Sequence, residues 1–153
     1  MSGFVLFAAL VLTGCSPEAD HNQADVTFAQ RMIPHHRQAL AMSENLPSDS
    51  DEPVKALARQ IQAAQAPEID RLTGWLKDWS ASASSEGGMD HGMPMAVATR
   101  ADWLKAMIEH HRGAVTMARD ELRDGVHAGA RQLAQQVIDG QEVEIATMTR
   151  LLG

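Results

Sequence analysis

Histidine and methionine, two residue types that bind soft metal ions, occur together twice in this chain at the same spacing. The candidate ligands are Met32, His35, His36 and Met42 in the first copy, and Met107, His110, His111 and Met117 in the second. Thioether sulfur favours Cu(I), and imidazole binds copper in both of its oxidation states. The residue types therefore point to copper, with Cu(I) favoured, as the bound cofactor.

Spacing places each copy on one face of a helix. Met32 and His35 are three residues apart and Met42 is seven further on, while His36 lies about a quarter-turn to the side. The same stripe is typical of ordinary core packing, so one copy alone would favour core over ligand. Paired histidines are unusual in apolar cores, and their appearance in both copies favours a metal site.

The similarity between the two halves extends beyond the motif. A shift of 75 positions aligns the two copies with seven of eleven residues identical, and Gln65-x-x-Glu68-Ile69 recurs as Gln141-x-x-Glu144-Ile145. Each half is thus predicted to be a helical hairpin. Counting from the turns places Gln65, Glu68, Gln141 and Glu144 opposite the histidines, where they would orient imidazole N–H groups.

Four helices must position these residues. Only 4% of the residues are aromatic and none is Tyr, which disfavours a β fold and predicts an all-α protein. The predicted helices cover residues 25–46, 52–79, 99–125 and 127–152. Thr99 and Asp102 form a predicted capping box, and Pro34 and Pro67 predict kinks inside the first two helices.

The predicted architecture is an up-down-up-down four-helix bundle in a domain of residues 25–152. Its halves are 25–79 and 99–152, joined by a linker at 80–98. The first and third helices would run parallel, so that the two motifs face each other at the same height. Bundles that hold iron or manganese use Glu-x-x-His pairs on their helices, and the four predicted helices of this chain contain none.

The linker is rich in Ser, Ala and Gly and holds a second candidate metal site. Its candidate ligands are Met89, His91, Met93 and Met95. A flexible chain of this composition imposes little geometry, so the alternative is a solvated linker with incidental methionines.

The start of the chain is typical of a bacterial lipoprotein. Residues 3–12 are apolar and uncharged and are followed by Leu12-Thr13-Gly14-Cys15, too short a stretch to span a bilayer. We expect residues 1–14 to be a signal peptide, Cys15 to carry the lipid, and 15–24 to be a tether. The protein would then be anchored to a membrane in the cell envelope, facing the periplasm or the outside. Signal peptides usually open with Lys or Arg, a charge that Met1-Ser2-Gly3 lacks, so the sequence leaves open whether the true start lies upstream of Met1.

Charge excludes one class of partner. The net charge is -7 without a Lys/Arg-rich run, which argues against binding to nucleic acid. Nine Met, seven His and one Cys supply thioether and imidazole ligands almost without thiolate, which suits an oxidising compartment. The expected partners are a metal ion and a membrane, and the sequence indicates no protein partner.

An aromatic residue stands four positions before the first methionine of each copy, Phe28 before Met32 and Trp103 before Met107. With these residues, the doubled motif resembles the family called domain of unknown function 305. The resemblance covers about residues 25–152. It implies a ferritin-like four-helix bundle, commonly exported, with some copper-binding relatives in the periplasm. The motif residues of the family correspond to the eight candidate ligands named above.

The leading hypothesis is an envelope protein that sequesters or transfers Cu(I) without catalytic turnover. The first alternative is a metal-dependent redox enzyme, either a cuprous oxidase or a di-metal enzyme. The second is a metal-free interaction module of the envelope, in which the His/Met stripes are only core.

Overall fold

Four helices make up the part of the chain that the computed structural model describes, residues 20–82 and 97–153. They are α1 (Gln23–Glu44), α2 (Glu52–Asp78), α3 (Arg100–Asp124) and α4 (Ala128–Leu152). These residues contain no strand, so the prediction of an all-α four-helix bundle is confirmed. Five candidate site residues lie outside the described residues, namely Cys15, Met89, His91, Met93 and Met95.

The helices begin and end within two residues of the predicted positions, and side-chain caps hold the first turns of α1 and α3. Asn22 and Asp25 form a capping box at the start of α1, in which the Asp25 carboxylate accepts a hydrogen bond from Asn22 N at 2.6 Å. Thr99 Oγ1 accepts from Asp102 N at 3.2 Å, as the sequence predicts. None of the helices in the described residues is long and apolar enough to cross a membrane.

The helices pair as two hairpins, α1 with α2 and α3 with α4. The hairpins join mainly through α1 and α3, whereas α2 and α4 barely touch. Pro34 and Pro67 lie inside α1 and α2, and each helix continues through its proline. The kinks predicted there stay predictions.

The direction of the second hairpin differs from the prediction. Trp103 Nε1 donates to Met42 O at 2.9 Å, and Asn22 Nδ2 donates to Asp124 O at 2.8 Å. The end of α1 therefore lies beside the start of α3, and the two helices run antiparallel. The order is up-down-down-up, not up-down-up-down, and the expectation of parallel α1 and α3 was wrong.

The length of the linker permits this direction. A helix of 25 residues is about 37 Å long, whereas the linker of residues 80–98 spans up to about 60 Å when extended. The linker can therefore run the length of the bundle, so the chain need not turn back at once. A single long connection of this kind is the arrangement of ferritin-like bundles.

A buried carboxyl pair, Asp25 and Glu121, closes one end of the bundle. Asp25 accepts hydrogen bonds from Val126 N at 3.1 Å and His127 N at 2.9 Å. The Glu121 carboxyl packs on Gly125, where a Cβ atom would lie 2.2 Å from its Oε1. Burial, reinforced by the hydrogen bond to Asp25 and its charge, raises the pKa of Glu121 to about 8.

The opposite shift occurs at Asp25. Burial alone would raise its pKa, but hydrogen bonds from Glu121 and from backbone N–H groups outweigh burial and hold the pKa below its ordinary value. Two carboxylates cannot hydrogen-bond to each other, so the pair shares one proton, carried by Glu121.

Candidate metal centre

His35 meets His110 where α1 crosses α3, and each is followed in the chain by a second histidine. We call His35, His36, His110 and His111 the histidine layer. The rings of His35 and His110 lie 3.7 Å apart between centroids, with 30° between their planes. His110 Nε2 donates to the backbone carbonyl of His35 at 2.9 Å. The close approach requires Gly113, since a Cβ there would lie 2.9 Å from His35 Nε2.

The outer histidines of the layer, His36 and His111, are each held by a glutamate from the other helix of their hairpin. His36 Nε2 lies 2.7 Å from Glu68 Oε2, and His111 Nε2 lies 2.8 Å from Glu144 Oε2. Both imidazoles are 0% exposed. The two halves thus make the same contact, which reflects the internal repeat.

The carboxylates determine which nitrogen carries the proton. A carboxylate only accepts hydrogen bonds, so Nε2 of His36 and of His111 must be the donor. Within the described residues, neither Nδ1 atom has a hydrogen-bond partner. A ring that donates from Nε2 and carries no second proton has its unshared electron pair on the buried Nδ1 atom, which is the form that binds metals.

The methionines flank the histidine layer on both sides. Met32 and Met117 belong to one apolar core cluster, whereas Met107 belongs to the other and Met42 packs against it. Met32 and Met107 are fully buried and Met117 nearly so. Antiparallel α1 and α3 produce this arrangement, so the eight candidates do not surround one point.

The acidic and imidazole side chains alone do not form a ready metal cage. Across residues 20–82 and 97–153, no three His, Cys, Asp or Glu side chains are grouped as a metal site. A site here must draw on the methionines or on some adjustment of the histidine rings. Such a donor set suits Cu(I) better than Zn(II).

The two glutamines lie one turn from the glutamates but make no hydrogen bond to the imidazoles. Gln65 is 2% exposed and Gln141 is 4% exposed. Within the described chain, neither amide oxygen nor amide nitrogen of the two has a hydrogen-bond partner. Both side chains line a cavity of about 40 Å³ together with Glu68 and Glu144.

A second cavity, of about 310 Å³, opens between the start of α1 and the end of α3. Met117 and Glu121 are in its wall, and no member of the histidine layer lines it. One motif methionine therefore also faces a larger pocket that the sequence gives no reason to expect.

The sequence did not predict an aromatic cluster at the end of the bundle where α1 and α4 begin and α2 ends. The His21 ring stacks on Trp79 at 4.7 Å, and His127 meets Trp79 edge-on at 5.1 Å. His127 also caps α4, since its Nδ1 accepts from Ala130 N at 3.1 Å. The position of His127 directly before a helical pattern was the available signal.

The fold and the paired histidines define an all-α bundle of two similar hairpins with a doubled His/Met motif. The sequence model of the domain of unknown function DUF305 matches residues 25–102 and 96–152, so the chain belongs to the DUF305 family. The resemblance inferred from the motif is thereby confirmed.

Solved structures agree with this assignment. A DUF305 protein from Streptomyces coelicolor is 32% identical, with a TM-score of 0.71 over 88% of this chain and 94% of that one. That protein is described as predicted to be secreted. A DUF305 fragment from Deinococcus radiodurans is 27% identical, with a TM-score of 0.72 over 86% of this chain and 97% of the fragment. A comparison with curated proteins gives no match.

Structures of CopM are also similar. CopM in its Cu(I)-bound form is 28% identical, with a TM-score of 0.73 over 85% of this chain and 96% of CopM. CopM also occurs in a Cu(II)-bound form and in Ag-bound forms. A protein of the same fold therefore binds copper and silver.

Proposed function

We propose that this protein binds copper, with Cu(I) favoured, through His36 and His111 of the histidine layer. The observation that carries the proposal is the pair of buried imidazoles whose Nε2–H groups are bound to Glu68 and Glu144 while Nδ1 has no partner within the described residues. Histidines that bind metals are usually held in this way by a carboxylate on the other nitrogen.

The methionines complete the donor set. Met32 and Met107 lie one helical turn before the paired histidines, fully buried on opposite sides of the layer. Thioether and imidazole without thiolate select copper over zinc, and silver over harder cations. The similarity to CopM, with bound Cu(I) and Ag, supports the same selectivity for this chain.

Stability gives a third argument. A buried polar atom without a partner costs about 1 to 3 kcal/mol, and an apolar core would avoid that cost. His36 and His111 each bring one such nitrogen into the bundle. Folding alone gives no reason for these atoms, whereas a bound metal ion would satisfy them.

The proposed role is to sequester or transfer copper in the cell envelope, without catalytic turnover. Similarity to a DUF305 protein that is described as predicted to be secreted supports export. We further propose that Cys15 carries a lipid anchor. Labelling cells with a fatty-acid analogue should mark the protein, and a Cys15→Ser variant should lose the label. Equal labelling of both would contradict the anchor.

Competition with a chromophoric Cu(I) chelator under anaerobic conditions tests the copper site. The parent chain is the full chain with Cys15→Ser and with serine at four linker positions, 89, 91, 93 and 95, so that only the bundle offers soft ligands. The test variant carries His36→Gln and His111→Gln, because a glutamine amide can still donate to Glu68 or Glu144. We expect its Cu(I) affinity to fall by more than about 100-fold.

The matched control replaces the two histidines outside the layer, as His21→Gln with His127→Asn, where Asn keeps a capping side chain. Its affinity should equal that of the parent. A second variant, Met32→Leu with Met107→Leu, preserves the volume of the buried side chains. It should therefore weaken Cu(I) binding and leave the folding of the bundle nearly unchanged. Equal affinity in the parent and the His36/His111 variant would refute the site. If the parent chain does not bind Cu(I), the copper site lies in the linker residues that were replaced, or the protein is a metal-free module.

A further inference from the structure

A polar cleft lies between α2 and α4, two helices that barely touch. It is a cavity of about 40 Å³, and four side chains with oxygen donors line it, namely Gln65, Glu68, Gln141 and Glu144. Ala64 and Gly140 also line the cavity and are exposed, so it opens to solvent. We call this space the α2–α4 cleft.

The two glutamines of the cleft are buried without partners. Gln65 and Gln141 are at least 96% buried, and within the described residues none of their four amide atoms makes a hydrogen bond. Burial of an amide that has no partner is unfavourable. Since both side chains line the same cavity, a ligand in the cleft would satisfy them together.

The two glutamates bring negative charge to the same place. Each uses its Oε2 atom to accept a hydrogen bond from an outer histidine of the layer. A carboxylate has two oxygens with about four lone-pair sites, so Oε1 of Glu68 and of Glu144 can still bind a cation. Among the described residues, neither glutamate forms an ion pair with Lys or Arg, and no such side chain lines the cleft.

The internal repeat supplies the same pair of donors from each side of the cleft. On α2 and again on α4, a glutamine is followed three residues later by a glutamate, and residues at this spacing share one helical face. The cleft therefore combines two carboxylates with two amide oxygens. Two carboxylates balance the charge of a divalent ion.

The donor type determines which ion fits. In the described residues, no His, Met or Cys lines the cleft, and oxygen donors suit hard cations such as Ca²⁺. Ca²⁺ accepts carboxylate, amide and water oxygens in flexible geometry, whereas Mg²⁺ demands a near-ideal octahedron and keeps most of its water. A cavity of this size holds about two or three water molecules, so it has room for an ion with one or two waters.

We propose that the α2–α4 cleft binds a hard divalent cation, with Ca²⁺ the best fit. Its protein ligands are the carboxylates of Glu68 and Glu144 and the amide oxygens of Gln65 and Gln141. The site is separate from the copper site, because it lies on the Nε2 side of the outer histidines, whereas Cu(I) is proposed at Nδ1. Neither proposal depends on the other.

Isothermal titration calorimetry with CaCl₂ tests the site on the parent chain defined above. The protein is first freed of metal with a chelator and is held in KCl at physiological ionic strength, which screens weak surface binding. We expect one Ca²⁺ per chain with a Kd on the order of 10⁻⁴ M, the range of weak calcium sites. Heat that does not saturate would overturn the proposal.

The first variant, Glu68→Gln with Glu144→Gln, removes the charge of the cleft. A glutamine amide oxygen can still accept from the outer histidines. We expect the Ca²⁺ affinity to fall by about tenfold or more, because the charge of the ligands sets the affinity. Asp70→Asn with Asp139→Asn removes the same charge from exposed positions of the same helices and should match the parent. An equal loss in both variants would show a response to net charge alone and overturn the site.

The second variant, Gln65→Leu with Gln141→Leu, removes the amide oxygens and should also weaken Ca²⁺ binding by about tenfold or more. Its control, Gln60→Leu with Gln132→Leu, changes exposed glutamines of the same helices and should match the parent. Circular dichroism checks that each variant is folded; if the buried pair unfolds, the carboxylate variant and its control decide alone. Unchanged affinity in a folded Gln65/Gln141 variant would overturn the amides as ligands.

Discussion

We expect the free energy of unfolding to fall as pH rises from 4.5 to 8, because the folded protein keeps the proton of Glu121. Replacing Glu121 by glutamine should remove most of this fall. Glu121 is 1% exposed and shares a proton with Asp25. Its pKa is about 8 in the folded protein and near 4.5, its ordinary value, in the unfolded chain. Glutamine has the same shape as the protonated acid and donates to Asp25 at every pH.

The sign and size follow from proton linkage. Between pH 4.5 and 8 the folded state keeps the Glu121 proton and the unfolded state loses it, so the free energy of unfolding falls as pH rises. The slope approaches about 1.4 kcal/mol per pH unit, and the loss across the window is roughly 3 to 5 kcal/mol. Below pH 4.5 both states are protonated and the stabilisation is fully present.

Urea unfolding at pH 5, 6, 7, 8 and 9 measures this effect on parent and variant in parallel. Near pH 5 the two proteins should have similar stability, and the glutamine variant should become the more stable one as pH rises. Glu142→Gln, at an exposed position of α4, is the control and should follow the parent. A pH profile for Glu121→Gln parallel to that of the parent would refute a shared proton.

Three further substitutions test the local geometry. Gly113→Ala should destabilise the bundle by about 1 to 3 kcal/mol, because its Cβ would lie 2.9 Å from His35 Nε2; equal urea midpoints would show that the ring has room to move. His127→Ala should cost about 1 kcal/mol by loss of the α4 cap, and His127→Asn should restore most of it; a similar loss in both would assign the effect to the aromatic contacts. Trp103→Phe should cost about 1 to 3 kcal/mol by leaving the carbonyl of Met42 unpaired, and unchanged thermal unfolding would mean that water replaces the indole.

Local signals in the sequence predict most of the fold. Capping residues such as Asn22 and Thr99 determine where helices begin, since an N-cap acts within its own first turn. The repeat of Gln65-x-x-Glu68 as Gln141-x-x-Glu144 predicts which side chains lie opposite the histidines, because helical periodicity determines which residues share a face.

The direction of the second hairpin was not predictable in this way. A linker as long as residues 80–98 permits either direction, and nothing in its composition favours one. The contacts that decide it, such as Trp103 with Met42, join residues about 60 positions apart. Long-range packing leaves no periodic pattern in the chain.

The sequence by itself determined the helices, the internal repeat and the residue types that favour copper, because these follow from local propensity and ligand chemistry. Only the tertiary structure decided that α1 and α3 run antiparallel. That direction brings His35 against His110, separates Met32 from Met107, and leaves the buried glutamines facing a cleft. The physical reason is that ligand type belongs to each residue, whereas the meeting of ligands depends on the packing of all four helices.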